Sequence, residues 1–80
     1  MDFRLDREPI QLIQLLKAAN LVMTGGEAKL LVESGEVRVD GEIETRKRRK
    51  LLSGMVVEAL GETVRLLPPE GDGTDGLRVP

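Results

Sequence analysis

Apolar and charged side chains alternate at the start of the chain, where Phe3 and Leu5 are interleaved with Asp2, Arg4 and Asp6. A period of two marks a strand with one buried face, so a short strand is expected within residues 2–8. From Ile10 the period lengthens. Leu12, Leu15, Leu16 and Ala19 recur at helical spacing and Ile13 widens the stripe, which predicts an amphipathic helix over 10–19. Pro9 suits the first turn of that helix, where a backbone N–H has no partner to lose, and Asn20 can stop it. Thr24-Gly25-Gly26-Glu27 matches a capping box, in which each side chain satisfies a backbone N–H at a helix start. A second helix is therefore expected from about Gly26 to Ser34, with Ala28, Leu31 and Val32 inward. Gly35 stands where a left-handed C-terminal cap is needed.

Beyond Gly35 the period returns to two. Val37 and Val39 alternate with Glu36 and Arg38, and Glu42-Ile43-Glu44 resumes the pattern after Asp40-Gly41, a pair that tolerates the positive φ of a tight hairpin. Arg46-Lys47-Arg48-Arg49-Lys50 is too charged for a core and is expected to form a loop or irregular edge. Ser53-Gly54 reads as a turn. Met55–Leu60 and Thr63–Leu67 read as two further strands joined at Gly61-Glu62. From Pro68 the chain is rich in Pro, Gly, Asp and Thr, so 68–80 is expected to be a disordered tail after a single domain over 1–67. Together these elements give an α+β fold of two short helices packed on a small, mostly antiparallel sheet.

Composition narrows the chemistry. The 80 residues contain no cysteine and no histidine, which removes disulfides, thiolate metal sites, the commonest general base and the commonest zinc ligand. No hydroxyl has an obvious base partner. Gly25 and Gly26 are not followed by the Lys-Ser/Thr of a phosphate-binding P-loop. No enzyme activity, cofactor or metal is expected. No secretory signal is visible, and the apolar stretches are far shorter than the ~20 residues that span a bilayer, so the expected protein is cytoplasmic, monomeric and free of membranes.

The formal net charge is −2, but its distribution matters more. Five of the twelve Lys and Arg residues stand together at 46–50. A basic run is ordinarily a solvated face. Five adjacent like charges also repel one another, and a small domain that keeps them has a use for an anionic partner, with arginine well shaped for phosphate. The helix start at Thr24 is a second candidate, because free N–H groups and the helix dipole favour an anion and Lys29 lies one turn in. Thr24 and Glu27 acting simply as caps is the alternative, and Glu27 would compete with a phosphate. Arg38 is out of phase with Val37 and Val39 and should face solvent. Lys17 lies near the end of the first helix, where complementing the dipole is a sufficient structural reason for it. Glu42 and Glu44 read as partners for such bases.

These segments, taken together, resemble the S4 RNA-binding domain, in particular its small stand-alone bacterial members. The resemblance is carried by Thr24-Gly25-Gly26-Glu27-Ala28-Lys29, by Glu33-Ser34-Gly35-Glu36-Val37-Arg38-Val39-Asp40-Gly41, and by Glu44-Thr45-Arg46-Lys47-Arg48-Arg49-Lys50-Leu51 followed by Gly54. It covers about residues 10–67. Asp40 stands where the family commonly has Asn. The resemblance implies an αL-type motif whose basic face binds structured RNA, such as ribosomal or transfer RNA. The matching positions are Thr24, Lys29, Arg38, Arg46, Arg48 and Lys50, with Lys17, Lys47 and Arg49 as neighbours. The expected function is thus a non-catalytic grip on the RNA backbone. The alternatives are an interaction module docking on an acidic, ribosome-associated protein, and DNA binding through the same face. Phe3 is the only aromatic residue, so base stacking cannot be the main mode of binding.

Overall fold

A computed structural model of the chain describes residues 1–69. Its elements are β1 (Asp2–Arg4), β2 (Ile10–Gln11), α1 (Leu12–Ala18), α2 (Gly25–Glu33), β3 (Val37–Val39), β4 (Glu42–Ile43), β5 (Lys50–Leu51), β6 (Val56–Ala59) and β7 (Glu62–Leu67). The main sheet has the order β1-β7-β6-β3-β4, and every neighbouring pair is antiparallel except β1 with β7. The two helices lie on this sheet, as the alternation of periods predicts. Leu12, Leu15, Leu16, Ala28 and Val32 from the helices share one core with Val37, Val39, Val57, Val64 and Leu66 from the strands. Leu12, Leu15 and Leu16 are fully buried, each stabilising the fold by roughly 2 kcal/mol through loss of apolar contact with water.

Both helices end as their sequences suggest. At the end of α1 Asn20 adopts a positive φ of 62°, its N–H donates to Lys17 and that of Leu21 donates to Leu16. At the end of α2 Gly35 has φ 81°, its N–H donates to Val32 and that of Glu36 donates to Leu31. These are paired 5→2 and 6→1 bonds, which satisfy the last carbonyls of each helix. The second helix begins one residue earlier than expected, with Thr24 as its N-cap.

Three expectations need correction. The helix expected from Ile10 begins at Leu12, because Ile10 and Gln11 are drawn into β2, which pairs antiparallel with β5. Pro9 therefore precedes a strand instead of opening the helix. The strand expected within 2–8 is limited to β1, although Leu5 remains buried and donates to the Leu67 carbonyl at 3.0 Å. The β6–β7 turn is centred on Leu60-Gly61, both at positive φ, one residue before the Gly61-Glu62 position read from the sequence. The Asp40-Gly41 turn has the expected positive φ values of 53° and 85°. Asp40 does more than turn the chain, since its Oδ1 accepts from the Val56 N–H at 2.9 Å and ties the hairpin tip to β6. Of the expected 68–80 tail, all but Pro68 and Pro69 lies outside the described residues. No helix among the described residues is long and apolar enough to cross a membrane.

Gly35 gives a direct check of this framework. A Cβ there would meet Ile43 Cγ2 at an ordinary 3.7 Å, so the penalty is conformational and not steric. Gly35→Ala should lower unfolding free energy by about 1–2 kcal/mol, and Gly35→Asn by less, as measured by urea denaturation.

Candidate nucleic-acid interface

The basic run forms a fixed loop between two anchors. On one side it follows the β3–β4 hairpin. The hairpin register continues through a bond from the Glu44 N–H to the Val37 carbonyl at 2.9 Å, which sets Glu44 opposite a core valine. Its side chain therefore turns inward, and Glu44 is the buried charged residue among those described, with 7% of its surface exposed. A buried carboxylate without partners would be costly, and here arginines from the loop supply them. Arg46 donates from Nε to Oε2 at 2.9 Å, from Nη2 to Oε1 at 3.2 Å and from its backbone N–H to Oε2 at 3.0 Å. Arg49 donates from Nη1 to Oε1 at 2.6 Å. The loop closes within itself by a bond from the Arg49 N–H to the Arg46 carbonyl at 3.1 Å.

On the other side the loop is joined to the start of α1. Lys50 and Leu51 form β5 against Gln11 and Ile10 of β2. The Leu12 N–H then donates to the Arg49 carbonyl at 2.9 Å, and the Ile13 N–H to the Lys47 carbonyl at 3.1 Å. These are among the first N–H groups of the helix, which have no partner inside it. The basic loop thus caps α1 with its own backbone, while two of its guanidinium groups bind Glu44. Fully buried Leu51 holds the exit of the loop in the core.

Arg46 to Lys50 line an open concavity of about 620 Å³. Arg46, Arg48 and Lys50 are exposed, while Lys47 and Arg49 are half-buried. Arg46 keeps 73% of its side chain accessible although it binds Glu44. Lys47, Arg48 and Lys50 have no ion-pair partner among the described residues. Such a surface gathers unpaired cations around an open bowl, which suits a polyanion better than a small ligand.

The other positions read from the sequence do not line this bowl. Lys17 is exposed in the last turn of α1 and Lys29 is exposed on α2. Thr24 Oγ1 accepts from the Glu27 N–H at 3.1 Å, and Glu27 Oε1 accepts from the N–H groups of Met23 and Thr24 at 2.7 and 3.1 Å. The capping reading of this helix start is therefore the one realised, with Glu27 in the place an anion would take. Arg38 lies on the outer face of the sheet opposite Glu58, in a separate concavity that Glu36 and Glu62 also line. Its guanidinium donates to the Gly41 carbonyl at 3.3 Å. The residue that sequence reasoning undervalued is Glu44. It was read as one of two ordinary partners for bases, whereas Glu42 is exposed and Glu44 organises the loop. The available signal was its place on the inward phase of the hairpin with arginines two and five residues on.

The hydrogen bonds from Arg46 hold the Glu44 carboxyl at a pKa of about 2, below its ordinary 4.5, against the opposing effect of burial, and the Arg46 backbone and Arg49 add to the lowering. The partner responds in kind, with the Arg46 guanidinium held above its usual value by Glu44. Because the folded-state pKa is depressed, this stabilisation is complete above about pH 4.5 and is lost as pH falls towards about 2. Glu44→Gln should flatten the decline in melting temperature across that window. A decline as steep as in the unmodified protein would show that Glu44 does not carry this linkage.

Comparison with known proteins identifies the family to which this fold belongs. The S4 domain family model matches residues 3–67. YbcJ of Escherichia coli (strain K12) is 38% identical over 66 residues, covering 81% of this chain and 94% of YbcJ. RlbA of Bacillus subtilis (strain 168), named as a probable ribosome maturation protein, is 44% identical over 57 residues, covering 71% of this chain and 80% of RlbA. The solution structure of E. coli YbcJ, which reveals an αL motif involved in RNA binding, superposes with a TM-score of 0.65 at 37% identity, over 82% of this chain and 85% of that one. A family match over nearly all the described residues, a shared fold and relatives aligned along most of their own length lead to one conclusion: the chain belongs to the S4 domain family of RNA-binding modules.

Proposed function

We propose that this protein is a non-catalytic, cytoplasmic binder of structured RNA that grips the phosphate backbone with the loop 46–50. The observation that carries this reading is the double anchoring of the loop. Glu44 fixes two of its guanidinium groups, and the β2–β5 pair with the start of α1 fixes its backbone. A loop whose backbone is held in place before binding loses less conformational freedom on meeting phosphate, which favours recognition of a fixed backbone geometry over a flexible strand. Arg48 and Lys50 are the free contacts, Arg46 offers its accessible edge, and Lys47 and Arg49 strengthen the local field. Lys17 and Lys29 extend the positive surface from the two helices. We assign Thr24 to capping, with Glu27 beside it, and leave Arg38 outside the grip, since Glu36, Glu58 and Glu62 line its concavity and oppose a phosphate. Ribosomal RNA is the favoured target over transfer RNA, in keeping with the name of the B. subtilis relative.

The test is fluorescence anisotropy with a labelled RNA hairpin at several salt concentrations. With about four to six phosphates neutralised, log K should fall against log salt with a slope of roughly −3 to −5. Arg48→Glu combined with Lys50→Glu leaves the Glu44 pairings intact and should weaken binding by about 100-fold with an unchanged melting temperature. Retained affinity in that variant would remove the loop from the interface. Binding partners that persist in a lysate after nuclease treatment, with no affinity for the hairpin, would favour docking on an acidic protein instead.

A further inference from the structure

The segment that anchors the basic loop also forms one wall of a second cavity, which the phosphate grip does not use. This cavity of about 530 Å³ lies between α1 and the β1–β2 connection and is more enclosed than the basic bowl. Phe3, Pro9, Ile10 and Ala18 give it apolar surface, and Asp6, Arg7 and Gln14 stand around it. It is a half-open groove, large enough for a small planar group, with apolar lining and a few polar groups. The polar groups are largely unspent. Asp6 and Arg7 belong to no ion pair among the described residues. Gln14 accepts from the Gln11 N–H through Oε1 at 3.2 Å, which leaves its amide NH2 free to donate.

These groups fit one class of ligand. The only aromatic residue of the chain is half-buried at the wall, where it offers a surface for a planar ring. A carboxylate and an amide together supply the acceptors and donors that read the edge of a nucleobase, and Arg7 can meet the phosphate attached to it. The position fits as well. Ile10 lines the cavity while its backbone pairs with Leu51, and Gln11 beside it pairs with Lys50 of the basic run. Gln14 and Ala18 are one turn apart on the same side of α1. Ile10 and Gln11 thus join the wall of the cavity to the exit of the basic loop.

We propose that the cavity receives a single unpaired base of the bound RNA, a bulged or flipped nucleotide, stacked against Phe3. One aromatic residue cannot build a platform for a strand, but it is sufficient for one base. The proposal rests on the RNA-binding reading given above and adds to it a preference for helices interrupted by an unpaired nucleotide.

Two labelled hairpins distinguish the steps, one fully paired and one carrying a single bulged adenosine. The unmodified protein should bind the bulged hairpin about tenfold more tightly. Phe3→Leu, which keeps an apolar side chain in β1, should bind both hairpins as the unmodified protein binds the paired one. Gln14→Ala removes the amide from the cavity together with its bond to the Gln11 N–H, at an exposed position outside the core, and should lose about threefold of the advantage with the paired hairpin bound as before. Equal affinity of the unmodified protein for the two hairpins would overturn the base site while leaving the phosphate grip standing. An advantage that persists in both variants would assign it to RNA shape and also overturn the site. Failure to bind either hairpin would overturn the RNA reading itself, and the base site with it.

Discussion

The charge arrangement of this domain depends on a single buried carboxylate. Five cations in sequence would repel one another and splay if each were left to solvent. Glu44 sits beneath them on the core side of the β4 hairpin arm and accepts from two of their guanidinium groups. Its burial would be unfavourable alone, and the arginines would be disordered alone. Held together they give a loop whose shape is set before any partner arrives. The depressed pKa of Glu44 is the electrostatic counterpart of that arrangement.

The second constraint is topological. The loop contributes backbone carbonyls to the start of α1 and two residues to a strand pair with β2. The helix needs those acceptors, because its first N–H groups have none of their own. A change in loop geometry would therefore disturb α1, and a change in α1 would move the cations. This mutual dependence concentrates positive charge at one place in a chain of net negative charge. The relevant quantity is a local field fixed in space, and among the described residues Glu36, Glu58 and Glu62 stand apart from it around a concavity on the outer face of the sheet.

Much of the fold was legible in the sequence because its signals are local. The Thr24–Glu27 box, Asn20 and Gly35 at the helix ends, and Asp40-Gly41 at the hairpin all specify conformations through their own side chains or lack of one. The β2–β5 pair was not legible. Strands of two residues carry no period, and the partners are forty residues apart, so Ile10 and Gln11 were read as the first turn of the helix that follows them. Of the candidate interface, the basic run was evident from composition, but the split between exposed and half-buried cations depends on the Glu44 contacts and the turn at Arg46–Arg49. The sequence marks Phe3 as an apolar position of the first strand and as the only aromatic residue, too few for base stacking to be the main mode. Its place beside Gln14 follows from the packing of β1 near α1, which no local pattern encodes.

If RNA meets the pre-formed loop, the backbone amide resonances of the labelled protein will report it during titration with a structured RNA hairpin. Perturbations are expected to concentrate at residues 44–51 and at Gln11–Ile13, the segment bonded to the loop. Perturbations confined to the outer face of the sheet, around Arg38, Glu58 and Thr63, would contradict it.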